Sequence, residues 1–214
     1  MSDTIRKYNR IAKYYDFIDS YYEKKLYSKM REKYISPIIN ANILEVGIGT
    51  GKNLDYYHHS NKVMAIDTSE GMIRQAYKKL ENNFNNENIA KISIKKVESD
   101  WGLEPLSYQY VVATFVIYTN KKQLTLIDQI YEALDYGGKV IIFEWIGTHT
   151  GIRAKILKLT YPFLNYFFGV SIYRKASINN FKKNKWELLK KEYFNEENVV
   201  FVLQKKAINL ENQV

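Results

Sequence analysis

Cysteine is absent from the 214 residues. No disulfide framework, thiolate nucleophile or Cys-ligated zinc or iron–sulfur centre is therefore possible. Apolar runs are short. The strongest, around Tyr161 to Val170, is interrupted by Pro162, Asn165 and Gly169 and does not reach transmembrane length. The opening MSDTIRKYNR has no apolar signal core, so the expected location is cytoplasmic. No internal repeat is visible. Hydrophobic residues make up 46% and charged residues 26% of the chain, an ordinary balance for a globular protein. The length suits one domain.

What is present is positive charge, unevenly placed. The net charge is +9. Residues 1–40 carry +4, residues 41–144 carry −2, and residues 145–214 carry +7. A slightly acidic middle between basic flanks could meet an anionic surface, phospholipid or nucleic acid. A Lys-rich composition with solvated faces accounts for the same charges.

The apolar pattern alternates strands and helices. Residues 4–36 read as helical and end before Pro37. Strands are expected over Ala41–Val46, Lys62–Asp67, Ile92–Val97, Tyr108–Ile117 and Lys139–Trp145. Helices are expected over 51–59, Ser69–Asn82 and Lys121–Leu134, with a turn at Asp135-Tyr136-Gly137-Gly138. Trp186–Phe194 and Val199–Lys206 read as two closing strands. This order predicts an α/β fold: a Rossmann-like, seven-stranded, mostly parallel sheet with helices on both faces and the last strand antiparallel. The expected divisions are an N-terminal helical cap (1–40), a cofactor-binding core (41–145), a substrate lid (146–184) and closing strands (185–214).

Glu45-Val46-Gly47-Ile48-Gly49-Thr50-Gly51 follows the first core strand. Glycines there let the chain turn with positive φ and let a ligand approach the backbone. Asp67 ends the second strand, 18 residues after Gly49, where an acid can accept hydrogen bonds from ribose hydroxyls. The spacing is G-x-G-x-G and not the dinucleotide G-x-G-x-x-G. Glu45 adds negative charge, which suits an ammonium and a sulfonium better than a pyrophosphate.

On these residues the chain resembles the class I S-adenosylmethionine-dependent methyltransferases, from about Tyr8 to Trp145. Ser99-Asp100-Trp101 sits where that family places an acid against adenine. Leu134-Asp135-Tyr136-Gly137-Gly138 resembles its L-x-P-G-G turn. The opening Tyr8-Asn9-Arg10-Ile11-Ala12-Lys13-Tyr14-Tyr15-Asp16 is similar to the A-x-x-Y-D start of two groups, the quinone-biosynthesis methyltransferases and the bacterial phosphatidylethanolamine N-methyltransferases. The resemblance implies S-adenosylmethionine as cofactor and S-adenosylhomocysteine as product; no metal is expected, since the substrate loops hold no convincing cluster of carboxylates. The resemblance carries the cofactor contacts onto Tyr15, Glu45, Gly47, Gly49, Gly51, Asp67, Thr68, Met72, Asp100, Trp101, Thr114 and Phe115. The N/D-P-P-Y loop of amino-methylating DNA and protein enzymes is missing: the sequence there reads Thr114-Phe115-Val116-Ile117-Tyr118-Thr119-Asn120.

An amine acceptor must first lose a proton, its free pKa being about 10.4. His149, four residues past the fifth strand, and Glu144 at that strand's end are the candidate bases. His58 and His59 read as surface residues. The 146–184 segment mixes Ile152, Ile156, Leu157, Tyr161, Phe163 and Phe167 with Arg153, Lys155, Lys158 and Arg174. That pattern fits an interfacial segment against anionic lipid or an apolar substrate pocket; core packing beneath solvated lysines fits it too. The expected acceptor is a lipid or lipophilic small molecule, with a phospholipid amine ahead of a quinone ring, and the expected partner is an anionic membrane surface. A nucleic-acid-binding role, or a non-catalytic one as an interaction partner, is less favoured.

Overall fold

Five strands buried on both faces set the architecture. The computed structural model describes residues 3–83, 90–98, 101–117, 119–120, 122–145, 159, 162 and 180–207. Its elements are α1 (Asp3–Ile11), α2 (Tyr15–Tyr22), α3 (Ser28–Tyr34), β1 (Asn42–Val46), β2 (Lys62–Asp67), α4 (Glu70–Asn83), β3 (Lys91–Lys96), β4 (Tyr108–Thr114), α5 (Gln123–Ala133), β5 (Leu134–Trp145), β6 (Trp186–Tyr193) and β7 (Asn198–Lys205). The strands form one sheet in the order β3-β2-β1-β4-β5-β7-β6. Strands β1 to β5 pair in parallel, and β7 pairs antiparallel with both β5 and β6.

Alternate residues of the inner strands enter two cores. Leu44, Val46, Val111, Ala113, Val140 and Ile142 pack with Leu126, Ile127 and Ile130 of α5 on one face. Ile43, Val63, Val112, Ile141 and Phe143 pack with Met30 and Ile35 around α3 on the other. Ala76 of α4 joins Ala65 on this second face. Burial on both faces explains why the inner strands β1, β2, β4, β5 and β7 are apolar almost throughout, whereas the edge strands β3 and β6 are largely exposed.

Four local features differ from expectation. The N-terminal helix is interrupted after Ile11, resumes at Tyr15, and passes through a π-helical turn at Glu23–Tyr27. The expected 51–59 helix is only a 3-10 turn, Leu54–Tyr56. Buried Leu54 and Tyr57 are three residues apart, a spacing the tighter turn brings onto one side. Strand β4 stops at Thr114 because Phe115 takes a left-handed backbone with φ 60°. The Asp135–Gly138 turn is absorbed as a bulge in β5, between the pairs Tyr108–Leu134 and Tyr110–Lys139. Of the expected lid, only Leu159, Pro162 and residues 180–184 are described.

Candidate active site

Strand β1 has β2 on one side and β4 on the other. The chain leaves it toward opposite sides in turn, so a crevice opens at its carboxyl end. Gly47, Gly49 and Gly51 line that end with φ of 75°, 56° and 81°. Their surroundings differ. A methyl group on Gly47 would overlap Val116, and one on Gly51 would lie 2.6 Å from Leu54 Cδ1. Nothing stands within 4 Å of the same position on Gly49, so its backbone faces open space. The Gly49 amide donates to Asp67 Oδ2 at 2.9 Å, and the Ser69 amide donates to Asp67 Oδ1 at 2.8 Å. Burial raises the Asp67 pKa, opposed by the amides of Ser69, Gly49 and Thr68. The carboxylate keeps lone-pair capacity for a further donor.

Glu45 is only 1% exposed. Its Oε1 accepts from Asn53 Nδ2 at 2.7 Å, while its Oε2 has no partner in hydrogen-bond geometry, although the Tyr57 hydroxyl is close enough to favour the carboxylate. Burial pushes its pKa up to about 7; Asn53, Tyr57 and the Arg31 charge oppose that shift, and Asp67 adds to it. Asn53 Nδ2 also reaches Thr114 Oγ1 at 3.3 Å, and Asn53 Oδ1 accepts from Arg31 Nε at 2.6 Å. Arg31, buried in α3, also donates to Glu23.

The N-terminal helices close one side of the crevice. Asn9 Oδ1 of α1 accepts from Ser69 Oγ and from the Gly71 amide, both at 2.8 Å. Only glycine fits at position 71, because a methyl group there would lie 2.9 Å from the Asn9 Cα. Met72 is buried against Ile11 and Ala12, with Tyr8 and Tyr15 packed alongside. Thr50 Oγ1 donates to Asp16 Oδ1 at 2.6 Å, and Lys52 lies 5.4 Å over the Tyr15 ring. Burial pushes the Tyr8 phenol up to about 12; a hydrogen bond with Thr119 opposes this, and the charges of Asp67 and Glu144 add to it.

Of the residues expected from sequence, Tyr15, Glu45, the three glycines, Asp67, Thr68, Met72, Thr114 and Phe115 gather around this crevice. The Phe115 ring packs tilted against Tyr27, centroid to centroid 4.6 Å. Trp101 packs into the main core near Ile66 and Val97, and its carbonyl accepts from Lys95 Nζ at 2.9 Å. Asp100 and His149 lie outside the described residues. Glu144 is buried at the end of β5. Sequence reasoning missed Tyr8 and Asn9 as site neighbours, although both belong to the opening motif. It also missed Arg31 and Asn53, for which no local signal exists.

The donor set fits S-adenosylmethionine. Asp67 can receive ribose hydroxyls, the second oxygen of Glu45 suits an ammonium, and the bare Gly49 backbone leaves room for close approach. Residues 43–138 match a family described as a methyltransferase domain. That stretch runs from β1 to the bulge of β5 and so contains the glycine turn, Asp67 and strand β4. Two curated proteins are similar. The mitochondrial methyltransferase OMS1 of Saccharomyces cerevisiae is 23% identical over 66% of this chain and 33% of its own length. The phosphatidylethanolamine N-methyltransferase of Cereibacter sphaeroides is 28% identical over 58% of this chain and 61% of its own. The chain thus spans a third to three-fifths of these relatives. A crystal structure of a SAM-dependent methyltransferase from Methanosarcina mazei shares the fold, with a TM-score of 0.61 at 16% identity, over 79% of this chain and 94% of that one.

Proposed function

We propose that this protein transfers a methyl group from S-adenosylmethionine to a lipid or lipophilic small molecule, with a phospholipid amine at a membrane surface as the favoured acceptor. The observation that carries methyl transfer is the pair of acids, buried Glu45 and half-buried Asp67, flanking a glycine turn whose middle residue faces open space. When bound, the cofactor supplies an activated methyl group. Asp67 accepts from the ribose, Glu45 balances the ammonium, and Tyr8, Tyr15 and Met72 shield this end of the crevice from water. Exclusion of water and fixed orientation do most of what such a reaction needs. For an amine acceptor, an apolar setting favours the neutral, reactive form. Glu144 and His149 are the candidate bases.

The acceptor class is supported by the outer face of the cap. Helix α2 touches the glycine turn through Asp16, yet Phe17 is 83% and Tyr21 64% exposed on the same helix. Tyr14, just before it, is 66% exposed. Lys25 Nζ lies 3.2 Å from the Tyr21 hydroxyl, and Lys13 and Lys24 are exposed nearby. Aromatics interleaved with lysines beside a cofactor crevice suit an anionic lipid surface. The similarity to a phosphatidylethanolamine N-methyltransferase points the same way. Among the described residues no helix is long and apolar enough to cross a membrane, so the proposed contact is peripheral.

Calorimetric titration with S-adenosylmethionine, S-adenosylhomocysteine and NAD tests the cofactor. Binding of the first two alone supports the reading. Asp67→Ala should weaken that binding about 5- to 150-fold, the equivalent of about 1–3 kcal/mol for a buried partner left unpaired. Transfer of labelled methyl groups is then compared on phosphatidylethanolamine vesicles, a quinone and a soluble amine. Preference for the quinone would move the reading to ring C-methylation. Preference for the soluble amine would end the membrane reading.

A further inference from the structure

The polar contacts of the cap reach the crevice through a connected set of side chains. They form a ladder of alternating charge that ends on Glu45. Asp16 Oδ1 lies 3.7 Å from Lys52 Nζ, and Lys52 lies 3.5 Å from Glu23 Oε2. Glu23 pairs with Arg31, Arg31 donates to Asn53, and Asn53 donates to Glu45. The ladder joins α2, the π-helical turn and α3 to β1. Its inner members, Arg31, Asn53 and Glu45, are all buried. In so dry a setting each link is strong, and a missing link is costly.

Resting on the S-adenosylmethionine reading above, we propose that Arg31 is a positioning residue: through Asn53 it holds the Glu45 carboxylate in place and ionisable, leaving its second oxygen for the cofactor's ammonium, so that the N-terminal cap helps to set cofactor affinity. The geometry leaves Asn53 no freedom to turn. Its carbonyl oxygen is held by the guanidinium, so its amide nitrogen must face Glu45 and Thr114. The groups that face Glu45 are Arg31 from α3, Asn53 and Tyr57 from the turn after the glycines, and Asp67 from β2. Only Arg31 is cationic. Burial and Asp67 act against it and hold the carboxyl near half-protonation at neutral pH. An incoming ammonium favours the ionised form, so binding below pH 7 releases the Glu45 proton to the buffer.

The test is titration of the whole chain with S-adenosylhomocysteine from pH 5.5 to 8.5, in buffers of different ionisation enthalpy. Wild type should bind about 20-fold more tightly at pH 7.5 than at pH 5.5, as the competent fraction grows, with proton release around the midpoint. Glu45→Gln should flatten that rise. Arg31→Gln should move the midpoint up by about one pH unit. Affinity at pH 7 then falls several-fold but recovers toward wild type at pH 8.5, where Glu45 is ionised in both. Arg31→Lys, which restores the charge, should bring the midpoint back part of the way. A merely structural Arg31 would lower affinity by one factor at every pH, and such parallel curves would overturn the proposal. If Arg31→Gln does not fold, Asn53→Asp decides. It keeps a partner for Arg31 but sets a carboxylate against Glu45, so its midpoint must also rise, and an unmoved midpoint overturns the proposal. Failure of wild type to bind either S-adenosylmethionine or S-adenosylhomocysteine is a separate result that would remove the cofactor reading itself.

Discussion

Three glycines separated by single residues carry different burdens. Gly49 adopts φ 56° but faces open space, whereas Gly51 adopts φ 81° against Leu54 and the Ala76 backbone. Alanine at position 49 should cost about 1–2 kcal/mol for the left-handed backbone. It should weaken S-adenosylmethionine binding by more than about ten-fold, because its methyl enters the space left for the ligand. Alanine at position 51 should cost about 1–3 kcal/mol more in stability, from overpacking. Thermal melts beside cofactor titrations separate the two effects. Glu45 makes a second prediction at this scale. Its folded pKa lies near 7 against an ordinary 4.5. Between these values the folded chain keeps a proton that the unfolded chain has released, so stability falls as pH rises from about 4.5 to about 7. The fall from this group is about 3 kcal/mol. Glu45→Gln should remove it, as urea melts at pH 5 and pH 7 would show.

Helix ends, more than helix faces, decide how the cap is attached. The first amides of α4 lack partners within the helix. Ser69 Oγ accepts one from Met72 at 3.2 Å, and Asn9 of α1 accepts another from Gly71. Helix α1 thus caps α4 from outside. Asn9→Ala should cost about 1 kcal/mol. Amides of α1 should then exchange hydrogen about five-fold faster, with the β1 and β4 amides unchanged. Equal acceleration throughout would mean that α1 opens only with the whole fold. The π-helical turn at Glu23–Tyr27 is the other notable element. Such turns concentrate at functional positions, and this one carries the acid that pairs with Arg31.

Across the whole molecule, the charge and the exposed aromatics combine. A net charge of +9, together with Phe17 and Tyr21 standing out beside the crevice, predicts adsorption to anionic vesicles that weakens as salt shortens the Debye length from about 10 Å at 0.1 M to about 3 Å at 1 M. Paired replacement of Phe17 and Tyr21 by alanine should lower the bound fraction even at low salt. Co-sedimentation with phosphatidylglycerol vesicles measures both. Binding that ignores salt and both residues would separate the enzyme from the membrane surface.

The sequence by itself determined the sheet, the glycine turn and the acid at the end of β2. Those signals are local: apolar runs with fixed punctuation, three glycines at alternate positions, one carboxylate a set distance on. Strand β2 begins and ends where the apolar pattern places it. Tertiary structure decided the rest of the site. Arg31 and Asn53 are 22 residues apart, and Asn9 and Gly71 are 62 apart, so no window of sequence shows either contact. The expected helix over 51–59 gave way to a 3-10 turn because Leu54 and Tyr57 are both drawn into the core. The left-handed Phe115 that ends β4 likewise has no signature in its own side chain. Its amide is held by the Phe143 carbonyl of the neighbouring strand at 2.8 Å. Local pattern specified which elements form; only packing between distant segments could specify which side chains meet at the crevice.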